Sequence, residues 1–76
     1  MSTPASVAAV FSAVSDMEEE VRDLVGFAQA LCVFGGSSIS IPPKAVYVLA
    51  EALEATAARL EMQWELAFKL AAEAKQ

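Results

Sequence analysis

Val7, Val10, Val14, Met17, Val21, Leu24, Ala28 and Leu31 recur at alternating separations of three and four. Such spacing averages 3.5 residues, close to the 3.6 of an α-helix, so it writes one apolar stripe along one helix. A stripe of four repeats has to be covered. The chain supplies a cover in Gly35-Gly36-Ser37-Ser38, a reversal, followed by a second stretch with helical periodicity.

Two starts compete for the first helix. Thr3-Pro4 is one, since Thr accepts from first-turn amides and Pro at the first helical position sacrifices no hydrogen bond. Ser15-Asp16-Met17-Glu18 is the other and has the form of a capping box. Val7, Val10 and Val14 share the helical phase of Met17, Val21 and Leu24 to within about 100°, which a start at Ser15 would not require. One helix over 4–34 is therefore expected, with a kink near Ser15 left open because Ser12, Ser15 and the valines lower local propensity. Gly35 is expected to end it in a left-handed conformation. Ser40-Ile41-Pro42-Pro43 starts the second helix, over 42–74, and Ile39 and Ile41 are expected to plug the helix ends.

Val46, Leu49, Leu53, Leu60, Trp64, Ala67 and Ala71 form the expected buried face of the second helix, flanked by Phe68 and Leu70. Opposite lie Glu51, Glu54, Glu61, Glu65, Lys69 and Glu73, with Glu65 and Lys69 at a favourable spacing of four. At 1.5 Å per residue the two helices measure about 46 and 50 Å, matched as antiparallel partners. Frequent alanines (Ala28, Ala45, Ala52, Ala57, Ala67, Ala71) suit close packing at small crossing angles. The expected fold is all-α: one domain over 1–76, an antiparallel two-helix hairpin. With 57% hydrophobic residues, more apolar surface exists than one seam can cover. Dimerisation into a four-helix bundle follows, with Phe27, Phe34, Leu60, Trp64 and Phe68 as core or dimer contacts.

Composition removes several functions. There is no histidine, no glycine-rich phosphate loop and no thiolate metal spacing, and the one cysteine, Cys32, has no activating base. No enzymatic activity, cofactor or metal is expected. The acidic group Asp16, Glu18, Glu19, Glu20 and Asp23 reads as a solvated face, because consecutive helical residues point about 100° apart and cannot converge on one ion. Cys32 reads as a small buried hydrophobe in a reducing cytoplasm, with an intermolecular disulfide as the alternative.

The net charge is −5, and the five basic residues are scattered. Direct binding to nucleic acid or to an anionic membrane is therefore not expected. Leu24 to Pro43 is a run of twenty uncharged residues, but glycines, serines and prolines break it, so no membrane span is expected. The apolar stretch Ala5 to Val14 lacks the preceding Lys or Arg of a signal peptide. A cytoplasmic protein is expected.

One pattern exceeds a simple amphipathic helix. Val48, Ala55, Met62 and Leu66 align on the polar side of the second helix, with Tyr47 near Glu54 and Glu65. This second stripe is either further bundle contact or a groove for another protein, since aromatics and Met are enriched in interface cores. Tyr47, Val48, Met62 and Leu66 are thus the candidate partner-binding residues.

The two-helix plan, with Ala45-Val46-Tyr47-Val48-Leu49-Ala50-Glu51-Ala52-Leu53-Glu54 after an Ala/Leu-rich first helix, resembles small helical-hairpin proteins of pseudomonads and their phages. Most of these have no known function; some phage members are dimers that inhibit host regulators or motor proteins. The resemblance implies a non-enzymatic dimeric adaptor or inhibitor of a host or regulatory protein, and it carries over no functional residue. Nucleic-acid mimicry by the glutamates is a special case of that reading. The rival readings are a structural subunit or secretion-type chaperone that folds by obligate co-assembly, and ligand binding near Trp64.

Overall fold

The computed structural model describes residues 4–74, all helix and connecting turns, with no strand among them. Thr3, the expected cap, lies outside the described residues. A bent first helix comprises α1, Pro4–Ser15, and α2, Glu18–Gly35, and a single long helix, α3, covers Pro43–Ala74. Both segments of the bent helix pack on α3. The result is a rod of 58 × 16 × 12 Å. Its radius of gyration, 17.4 Å, far exceeds the roughly 11 Å of a compact domain of this length.

The bend falls at Asp16-Met17, beside the serine where a kink was left open. Asp16 N–H still donates to Ser12 C=O four residues back, at 3.0 Å, but Met17 N–H donates to Val14 C=O only three back, at 3.1 Å. The turn is tightened there and the helical ladder interrupted. Ser15 does not cap α2. Met17 holds the N-cap position with φ −79° and ψ −14°, without a side-chain cap, so the chain changes direction but remains right-handed. Glu18, Glu19 and Glu20 occupy the first turn of α2, where carboxylates favour the helix dipole.

At the far end, α2 includes Gly35 and stops without a left-handed residue, contrary to expectation. Gly36 is the C-cap at φ −90° and ψ −1°, and no described glycine has positive φ. Orphan carbonyls are satisfied nonetheless: Gly36 N–H donates to Cys32 and Ser37 N–H to Phe34. The Ser37 Oγ accepts from the Ile39 amide at 3.0 Å, turning the chain outward, so Ile39 is exposed and only Ile41 is half-buried. Pro42 precedes the first turn of α3, its carbonyl accepting from Ala45 and Val46.

The buried line differs in phase from the expected seam. On the bent helix it runs Val10, Ala13, Met17, Glu20, Leu24, Phe27 and Phe34; Val7, Val14, Val21 and Leu31 are exposed. Val10, Met17 and Leu24 belong to both lines, so the helix is rotated about them toward Ala13, and the valines become a flank. Small residues explain the choice, because Ala13 and Ala67 are the two buried apolar side chains among the described residues and permit the closest approach of backbones. On α3, Leu49, Leu53, Leu60, Ala67 and Ala71 face the partner as expected. Val46 and Trp64 do not; Thr56, at 2% exposed, takes the centre of the line instead. Phe27, Phe34 and Leu60 are half-buried. Cys32 is exposed rather than buried.

The acidic group also departs from expectation. Asp16, Glu18, Glu19 and Asp23 are exposed, but Glu20 is 9% exposed and points into the seam. Arg59 draws it in, with its Nε 3.7 Å from Glu20 Oε1 while its Nη2 donates to Thr56 Oγ1 at 3.1 Å. One turn along α3, Gln63 Nε2 donates to the Asp16 carbonyl at 3.1 Å, holding the bend. The other ion pair among the described residues, Glu18 with Arg22, is an exposed pair of spacing four; Glu65 and Lys69 do not join.

Candidate interaction surfaces

The rotation of the bent helix leaves two flanks, and they differ in chemistry. One is apolar and grooved. Between α1 and α3, Val7, Val10, Phe11 and Val14 face Ala71 and Ala74 across an open trough whose lining is almost wholly apolar. A second trough, between α2 and α3, is lined by Met17, Leu24, Ala57, Leu60, Trp64 and one charged residue, Glu61. Leu60, Trp64 and Ala71 are four and seven residues apart on α3, so the troughs open on the same side of the rod. Trp64 and Phe68 join them. Their rings are stacked, centroids 5.5 Å apart and planes inclined by 28°, and they stand 55% and 64% exposed. Phe11, at 74%, is the most open aromatic ring of the flank.

The other flank is mixed. Val48, Ala55 and Met62 are seven apart on α3 and Leu66 follows one turn later, all exposed, with Met62 at 69%. Tyr47 is also exposed but lies about 100° around the helix from Val48. Val48 and Met62 are about 21 Å apart along the axis at 1.5 Å per residue. The four candidate partner-binding residues therefore form a strip, not one compact patch. Ser15, Asp16, Glu18, Glu19, Arg22 and Asp23 line a shallow polar hollow on the bent helix, to which α3 contributes nothing.

The α1–α3 trough and Phe11 lie outside the candidate residues that spacing picks out. Their signal is present all the same: Pro4–Ser15 carries no charged residue, and a surface helix with no charged side is one with more than one covered side. Among the described residues no group of His, Cys, Asp and Glu is placed to hold a metal ion, and no helix is long and apolar enough to cross a membrane.

Comparison with known proteins gives no match: no family model, no curated protein sequence and no solved structure is significantly similar to the chain.

Proposed function

We propose that the chain is an antiparallel helical hairpin that pairs with a second copy as a four-helix bundle. In that form it acts without catalysis, as a small acidic cytoplasmic adaptor or inhibitor of a host or regulatory protein. The hairpin reading is supported by contacts that bring Gln63 to Asp16, Arg59 to Glu20 and Ala71 to the Val10 end of α1. The observation that carries the functional reading is the exposed strip of Val48, Met62 and Leu66, with Tyr47 beside it. Apolar and aromatic side chains held open along a rigid helix are suited to seat another protein, and Met adapts to irregular surfaces. A net charge of −5 steers such a strip toward a basic patch.

Affinity capture with the tagged chain tests this reading. Met62→Glu and Leu66→Glu should each abolish capture of the partner while the melting temperature stays nearly constant. Loss of folding or of self-association in these variants would assign the strip to the bundle itself. The rival, a subunit that folds by obligate co-assembly, is favoured by the amount of apolar surface left open. It requires the chain alone to be aggregated or partly molten.

A further inference from the structure

Exposed area is the quantity most out of place in this molecule. The chain exposes 5859 Å². A compact monomer of 8.0 kDa exposes about 4,450 Å², so the excess is about 1,400 Å². Part of that excess is the cost of a rod, but its chemistry is uneven: the flank holding Phe11, Trp64 and Phe68 is open and apolar from Ala57 to Ala74 of α3, about 26 Å at 1.5 Å per residue. A standard interface removes about 800 Å² per partner, and obligate homodimers remove more. The excess is thus of the size that one further chain of this kind would cover.

Charge selects the occupant. The α1 side of the flank has no charge, and Glu61 is the single charged residue lining the two troughs. A basic partner would find only Glu61 there to pair with, whereas two acidic chains can meet on it while bringing few carboxylates together. Two-fold pairing also places the same patch on both sides, trough and aromatic ridge together, so that each chain supplies both a hollow and something to fill it. We propose that a second copy of this chain covers the Phe11–Trp64–Phe68 flank, leaving the Met62–Leu66 strip outward. This rests on the dimeric reading above and assigns its interface to one of the two flanks.

Trp64 is the sole tryptophan, so its fluorescence reports directly on this face. Mass by sedimentation velocity and quenching of Trp64 by acrylamide are measured over one dilution series, for the wild type, Phe11→Glu, Phe68→Glu and Met62→Glu. The expected result is a wild-type dimer with Trp64 shielded and its emission blue-shifted, and the same for Met62→Glu. Phe11→Glu and Phe68→Glu should weaken the dimer about 100-fold, as central interface aromatics do, and open Trp64 to quencher. If either variant fails to fold, the wild-type quenching decides alone. A dimer whose Trp64 remains fully quenchable overturns the assignment of the flank and leaves the dimer standing, as does a shielded dimer that folded Phe11→Glu and Phe68→Glu fail to weaken. A monomer at every concentration overturns this inference and the dimeric reading together.

Discussion

The helix pair is joined differently at its two ends. Where α1 meets α3 the interior is made of Val10, Ala13, Ala67, Leu70, Ala71 and Ala74, small or aliphatic side chains without a charge. Where α2 begins, Glu20, Thr56 and Gln63 share the interior with Met17 and Leu24, and the half-exposed Arg59 reaches in to Glu20 and Thr56. Alanines let two helices approach closely, but they would accept a slip of one turn almost as readily. A carboxylate, a guanidinium, a hydroxyl and an amide that meet across the seam accept it far less well. Closeness and register are therefore supplied by different stretches. The polar stretch is incompletely satisfied, since Glu20 Oε2 and the Gln63 carbonyl oxygen are buried without hydrogen-bond partners. Unsatisfied groups of this kind lower stability even where they define an alignment.

Substitutions at the two ends should separate these roles. The largest effect belongs to Ala67→Asp, which forces an unpaired charge into the tightest apolar contact. It should cost about 3 to 4 kcal/mol, much of a small domain's stability, in urea unfolding followed by circular dichroism at fixed protein concentration. Gln63→Ala is expected to cost about 1 kcal/mol by releasing the Asp16 carbonyl. Its amide exchange should rise selectively around Val14 to Glu20, and a uniform rise along the chain would detach Gln63 from the bend. Glu20→Met, at the polar stretch, should be neutral or stabilising by up to about 1 kcal/mol, because it removes a desolvated carboxylate while the half-exposed Arg59 rehydrates. A loss above about 2 kcal/mol would make the ion pair a net support. The smallest effect is that of Met62→Glu, within about 0.5 kcal/mol, since the side chain stands in solvent.

The contrast also explains which parts are readable from residue order. Periodicity locates both helices, the break between them and the inward side of Leu49, Leu53 and Leu60, because these depend on neighbours three and four apart. It cannot choose between the line through Val7, Val14 and Val21 and the line through Ala13, Glu20 and Phe27, which lie on adjacent strips of one helix. That choice depends on where α3 offers small residues. Nor can spacing bury Glu20, whose partner Arg59 is far away in sequence and only becomes a neighbour once the helices are paired. Spacing puts Trp64 on the buried arc of α3 with Phe68 beside it, but the line of contact centres on Thr56 and Ala67 and leaves both rings exposed. The Tyr47–Leu66 strip is legible as an apolar row off the main face.

The uncharged composition of α1 has a kinetic consequence. Pairing α2 with α3 closes a shorter stretch of chain than bringing Val10 to the trough it shares with Ala71, so loop-closure entropy orders the two events. The loop-proximal half should zip first, and α1 should dock last and open most often in the native state. An arm that docks last, bears no charge and exposes Phe11 presents an adhesive end to whatever chain is nearest. During synthesis, local concentration of its own kind then decides whether that encounter leads to ordered pairing or to aggregation.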